Sequence, residues 1–314
     1  SLDLETIQRV VAQGRPQAAL LAAGALFLVG FGVKAAFVPL HTWLPDAHSQ
    51  APSGISAMLS GIVIEAGLVA LLRAIAPLLG MTTSWGALLM GAGALNMLAG
   101  NLLALRQKQV KRLLAFSSLS HVGYMLLGLG IASEFNQVGG AQGAMFHLVN
   151  HAFMKGLAFL AAGALMYAFY ISRGRHDALT IADLGGAATR YPLVAFTFSV
   201  ALLALGGLPP FSGFMSKWQI FLSGFQAQNG WAIAAVIFAA FNSVLSLGYY
   251  APLVNAMYRR EASEPVVAGR PVPASMNVAL VLLAAGIVLL GVWPGLVNTF
   301  TYQAARAIFT FLGG

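Results

Sequence analysis

Long apolar runs joined by short polar connections dominate the chain. About eight of them stand at 16–38, 52–73, 83–105, 109–130, 140–168, 192–226, 230–257 and 275–294. Each exceeds the ~20 residues that a helix needs to cross ~30 Å of hydrocarbon. The pattern predicts an all-α polytopic membrane protein of about eight transmembrane helices. Two runs do not read as plain spans. The first continues into Val38-Pro39-Leu40-His41-Thr42-Trp43-Leu44-Pro45, and the run 192–226 holds Gly206-Gly207-Leu208-Pro209-Pro210-Phe211-Ser212-Gly213. An unbroken helix over 192–226 would be about 52 Å long, far more than a bilayer needs. Both runs are therefore predicted to be broken helices, with simple proline kinks as the alternative. Proline removes an amide donor and clashes with the preceding turn, and the carbonyls it frees are tolerated in a membrane only beside protein or water. Paired breaks in corresponding places point to inverted repeats and to an ion or substrate site near the midplane.

Composition agrees and excludes whole classes. Hydrophobic residues make up 59% of the 314 positions and charged residues 8%, against roughly a quarter charged in a soluble domain. That excludes a soluble enzyme and a disordered chain. Cysteine is absent, which removes disulfides, thiolate metal sites and iron–sulfur ligation. The net charge of +8 reads as topology rather than nucleic-acid binding. Arg106, Lys108, Lys111, Arg112, Arg173, Arg175, Arg190, Arg259, Arg260 and Arg270 fall in alternate connections, whereas the opposite side carries Arg9, Arg15, Arg73 and Arg306. The positive-inside rule then puts the first set in the cytoplasm and both termini outside. Residues 1–15 read as an interfacial segment, and the tail from Val297 as an amphipathic or docking helix.

Ionisable residues inside the spans carry the candidate chemistry. Lys34, Glu65, His121, Lys155 and Lys217 all fall near mid-bilayer by helix rise. A charge there costs at least ~2.5–3.5 kcal/mol, so the five should face one another or internal water. His147, His151 and Lys155 are spaced four apart and stack on one helix face. Asn150 lies beside them, and Ser117, Ser118 and Ser120 surround His121. Neutral imidazole both donates and accepts, and a lysine in a poorly solvated site can lose its proton, so such a set can pass protons. Any one of the histidines taken alone is equally well a satisfied packing residue. His147 and His151 have the spacing of zinc ligands but lack the intervening Glu of a metalloprotease helix, and Lys155 would repel a divalent ion. An axial haem pair such as His121 with His147 is the other metal reading, and it too is disfavoured. No nucleotide or hydrolase fingerprint is present, so neither cofactor nor metal is expected.

The stretches Phe37-Val38-Pro39-Leu40-His41-Thr42-Trp43-Leu44-Pro45-Asp46-Ala47-His48, Val110-Lys111-Arg112-Leu113-Leu114-Ala115-Phe116-Ser117-Ser118, Ser120-His121-Val122-Gly123-Tyr124, His147-Leu148-Val149-Asn150-His151-Ala152-Phe153-Met154-Lys155 and Gly207-Leu208-Pro209-Pro210-Phe211-Ser212-Gly213-Phe214 together resemble the proton-conducting antiporter-like family. These are the large membrane subunits of respiratory complex I, of multi-subunit sodium/proton antiporters and of membrane-bound hydrogenases. The resemblance implies two inverted five-helix repeats, each with one broken helix. It divides this chain into a remnant of the first repeat at 16–73, a second repeat at 83–257 with its break in 192–226, and a terminal span with tail at 275–314. It implies that Lys34 is the lysine of the first broken helix, Lys155 the central lysine and Lys217 the terminal one, with His121, His147 and His151 linking them.

Two departures stand out. The family's acidic partner of the first lysine lies on an earlier helix that this sequence does not contain, and Glu65 stands where the family usually has a lysine. Glu65 is expected to be the counter-ion of Lys34, or a site for a proton or sodium ion. The function so implied is proton translocation through a midplane Lys/Glu/His relay bridged by water. The chain would serve as one subunit of a redox-driven or antiporter complex in an energy-transducing membrane, bacterial or organellar. Its partners would be other membrane subunits, which hold any redox centre. A non-pumping structural subunit and a sodium/proton antiporter subunit are the alternatives.

Overall fold

The computed structural model describes residues 6, 7, 9, 17–75 and 84–311. Among these the regular structure is helical. Six helices are long and apolar enough to cross a membrane: α3 (Ser53–Ile75), α4 (Trp85–Leu105), α5 (Val110–Phe135), α6 (Val138–Phe169), α10 (Gly230–Arg259) and α12 (Ala274–Val292). The other two apolar runs are interrupted. α1 (Gln17–Lys34) is followed after a break by α2 (Trp43–Gln50), and α8 (Pro192–Gly206) by α9 (Ser212–Gln226). Short helices α7 (Ala187–Arg190) and α11 (Glu264–Ala268) lie in the connections, and α13 (Gly295–Phe311) closes the described chain. Most of the expected interfacial segment 1–15 lies outside the described residues.

Both breaks have the same local cause. Backbone in the left-handed region follows each first half, at Ala36 (φ 57°) and Gly207 (φ 81°), and a cis X-Pro bond follows shortly, at Val38-Pro39 and Pro209-Pro210. The chain therefore turns out of the helix and re-enters it one short loop later. The backbone groups released in this way are met by side chains, as burial demands. Asn96 of α4 accepts from Val38 N at 2.9 Å, and the Trp43 indole donates to Val33 O at 2.7 Å. At the second break Leu205 O accepts from Lys217 and Gly206 O from Ser243.

α5 is the axis of the bundle; the most apolar window of its span is wholly enclosed by other helices. Small residues let α4 approach it closely, as is usual where lipid gives no hydrophobic drive. A Cβ on Gly93 would lie 2.7 Å from Gly123 O, and one on Gly123 would lie 2.6 Å from Gly93 O. α10 and α12 stand on the outside, with Phe241, Val244, Leu282 and Val292 exposed where lipid would be. The tail predicted from Val297 is α13, which packs against α6 and the end of α3.

Candidate functional site

The buried ionisable side chains meet beside α5. α3 supplies Glu65, α5 His121, α6 His147, His151 and Lys155, and α9 Lys217, and each of the six is at most 3% exposed. Their order in space differs from their order along the chain. Glu65 Oε1 lies 2.6 Å from His151 Nδ1. The His151 ring stands 5.0 Å from that of His121, centroid to centroid. His121 Nδ1 and His147 Nε2 share a hydrogen bond of 2.9 Å, and His147 Nδ1 and Ser216 Oγ one of 2.8 Å. Ser216 is the chain neighbour of Lys217, whose ammonium donates to Leu205 O and to Ser243 Oγ, both at 2.9 Å. The row thus runs Glu65, His151, His121, His147, Ser216 and Lys217, and crosses from the first broken half of the bundle to the second.

Local backbone features create this register. A π-helical turn over Leu59–Val63 interrupts α3, and such turns re-aim the side chains around them. Gly61 within it lies against the backbone of Ala152, where a Cβ would come within 3.1 Å of Ala152 Cα and O. One turn later Glu65 meets His151. The same π turn presents Ser60, whose Oγ is 2.7 Å from Ser118 Oγ on α5.

Lys155 is a side branch. Its ammonium donates to Leu114 O at 2.7 Å and to Ser117 Oγ. Neither Lys155 nor Lys217 has an acidic partner among the described residues; carbonyl and hydroxyl dipoles receive them instead. Lys217 Nζ also sits 4.6 Å above the centroid of the Tyr124 ring, a cation–π contact whose worth grows to about 2 kcal/mol when desolvated. The row and its Lys155 branch hold one carboxylate against two amines, so a proton placed on any member changes the energy of a proton on the next.

Several expectations need correction. Lys34 was expected among the mid-bilayer charges facing this set, but it lies exposed at the end of α1 without an ion pair to Glu65. Glu65 bonds to His151 instead. Only the aliphatic part of Lys34 packs inward, where a Cβ on Gly67 would lie 3.0 Å from Lys34 Cγ. Water was expected to bridge every step, yet Glu65–His151, His121–His147 and His147–Ser216 are direct. Tyr124, Ser216, Ser243 and Tyr250, whose hydroxyl is 3.4 Å from His121 Nε2, belong to the site and were not singled out. The one available signal was a hydroxyl next to a buried lysine, Ser216 before Lys217.

Comparison with known proteins gives a consistent picture. Residues 1–243 match the family model described as NADH:quinone oxidoreductase/Mrp antiporter, TM. The chain is 36% identical to hydrogenase-4 component B of Escherichia coli over 289 residues, covering 85% of this chain and 42% of that protein. It is 35% identical to NADH-quinone oxidoreductase subunit N 2 of Sorangium cellulosum, covering 94% and 58%. Among solved structures, a chain of respiratory complex I from Thermus thermophilus superposes with a TM-score of 0.73 at 33% identity, covering 91% of this chain and 60% of that one. A chain of the archaeal membrane-bound sulfane sulfur reductase superposes with a TM-score of 0.83 at 28% identity, covering 98% and 61%. The chain therefore spans roughly half the length of the curated relatives it matches.

Proposed function

This chain belongs to the NADH:quinone oxidoreductase/Mrp antiporter membrane family, and from that premise we propose that it moves protons as one membrane subunit of a larger redox-driven or antiporter complex. The observation that carries the reading is the buried row Glu65, His151, His121, His147 and Ser216, whose side chains follow one another at hydrogen-bond or ring-contact distance across the middle of the bundle and end beside Lys217 in the chain. A carboxylate, three imidazoles and an amine in one buried row have no packing advantage over leucine. A buried ion pair is commonly no more stable than an apolar substitute.

In this reading a proton taken up at Lys155 or Glu65 shifts the charge felt at His151. The proton then passes through His121 and His147 by donor–acceptor exchange of their ring nitrogens, and Ser216 carries it to the neighbourhood of Lys217. Loss of the proton from Lys217 resets the row. The basic connections support a cytoplasmic side at the Lys111 and Arg175 ends of the helices, with both termini outside. The two matched breaks support a second five-helix repeat over 83–257, preceded by the remnant of a first. Lys34, exposed at the first break, would join the row through a neighbouring surface.

The direct Glu65–His151 bond favours a proton over a sodium ion, because it joins Oε1 of the carboxylate to an imidazole nitrogen, a donor–acceptor contact suited to proton exchange. Proton uptake by vesicles carrying the assembled complex tests the reading. Lys155→Met and Lys217→Met should each lower uptake at least tenfold while assembly persists. Parental uptake in both leaves only a structural subunit.

A further inference from the structure

Two cavities join into one open groove between α3, α6 and α13. The first, of about 390 Å³, has Leu72 of α3, Met145 of α6 and Phe300 of α13 among its walls. The second, of about 590 Å³, has Ile62 and Glu65 of α3 and Phe153 of α6. Both are lined by Val69, Arg73, Leu148 and Val149, so they are continuous.

The groove has a direction and a length. Arg73 stands in the last turn of α3, and Gly61, the wall residue farthest from it on that helix, lies near the middle of the span Ser53–Ile75. At ~1.5 Å per residue the two are about 18 Å apart along the axis. One leaflet of the hydrocarbon is ~15 Å deep, half of the ~30 Å core. The groove therefore runs from the membrane surface to the midplane. A transmembrane helix of a partner needs a track across both leaflets, whereas a lipid chain needs only one.

Its charge fits the same occupant. α3 starts beside Lys111, which donates to Ala51 O, so Arg73 lies at the opposite end of the bundle from the basic connections. Arg73 is exposed and has no ion pair among the described residues. Glu65, the acidic side chain on the walls, is about 12 Å deeper along the helix and is bonded to His151. The Thr301 hydroxyl is taken up by Asn298 O at 3.1 Å. The other wall side chains are apolar. A guanidinium at the surface over an apolar track one leaflet long complements a molecule with a phosphate at one end and hydrocarbon behind it, because the guanidinium fork binds phosphate through paired N–H donors.

We propose that this groove seats a phospholipid of that leaflet, its phosphate on Arg73 and one acyl chain lying along α3 and α6 as far as Gly61. The chain covers the flank of Glu65 that borders the groove. This seat does not depend on the row being a proton relay.

The test uses the purified complete complex in detergent, with a trace of phosphatidylglycerol that carries a photoreactive diazirine near the end of one acyl chain. After illumination, peptide mass spectrometry locates the label. It should fall on residues 61–69 of α3 or 148–153 of α6. An excess of unlabelled phosphatidylglycerol should lower it at least fivefold, and the same excess of diacylglycerol, which lacks the phosphate, should leave it in place. Arg73→Gln should lower this label at least fivefold without changing label elsewhere on the complex. Val149→Trp, which fills the shared wall and keeps Arg73, should do the same. Label absent from both helices, as where a protein helix covers the groove, overturns the proposal. So does label displaced equally by diacylglycerol, or label unchanged in either assembled variant. The competition arm uses the parental complex, so it decides the matter if a variant fails to assemble.

Discussion

Glu65 and His151 face each other across the α3–α6 crossing, with Oε1 and Nδ1 2.6 Å apart and both residues almost wholly out of solvent. Removing one member of such a pair leaves the other's buried polar atom without its partner, at a cost of about 1–3 kcal/mol. Glu65→Ala should therefore lower the yield and thermal stability of the complex. Glu65→Gln keeps the volume and a hydrogen bond to the imidazole while removing the titratable group. It should assemble normally and show proton uptake reduced at least tenfold; uptake at the parental rate would show that the carboxylate does not take part.

Lys217 and Tyr124 separate ring from hydroxyl. The lysine ammonium lies over the face of the tyrosine ring, whereas the Tyr124 hydroxyl points to Ala239 O at 3.2 Å. Tyr124→Phe keeps the face and should retain proton uptake within about twofold. Tyr124→Leu removes the face and should cost about 1–2 kcal/mol of local stabilisation of the ammonium, read as uptake lowered several-fold in assembled complex.

Gly123 on α5 tests the helix seam. With Gly93 O only 2.6 Å from where its Cβ would be, Gly123→Leu must push α4 away from the axis of the bundle. Overpacking of this kind costs about 1–3 kcal/mol and often more. The complex should lose most of its yield, measured by quantitative immunoblotting of purified membranes, while Gly123→Ala gives an intermediate loss.

Ala36 holds the first break in a left-handed conformation at φ 57°, fully buried. That conformation costs a non-glycine residue about 1–2 kcal/mol. Ala36→Gly removes the strain but frees the unfolded chain, so stability should change by less than about 1 kcal/mol. Ala36→Val adds a β-branched side chain where it fits neither backbone nor packing, and should destabilise by at least about 2 kcal/mol. Thermal denaturation in detergent of the two variants side by side reads the difference.

Much was legible in the residues themselves. The length of each apolar run set the spans, because a bilayer demands a fixed helix length whatever the neighbours are. Pro39, Pro209 and Pro210, beside Gly207, marked both breaks, since proline acts on its own backbone. Charges within these runs marked the candidate site, because a lysine or glutamate in hydrocarbon is costly wherever it points. All three are local properties; the spans and the breaks stand in the structure with small changes of boundary, and of the marked charges all but Lys34 are buried.

Partnership was not local. Helical spacing put His147, His151 and Lys155 on one face, but it could not say that His121 of α5 would enter between the two histidines, or that Lys155 would turn aside to Leu114 O. Glu65 sits beside the crossing with α1 yet bonds to α6, because a π turn and the bare backbone of Gly61 rotate and draw α3 onto Ala152. Which side chain meets which is decided by how closely helices approach and how they are rotated, and those depend on small residues and helix irregularities from several segments at once. The amino-acid order alone fixed what had to be hidden from lipid; only the packed bundle decided what each hidden group would touch.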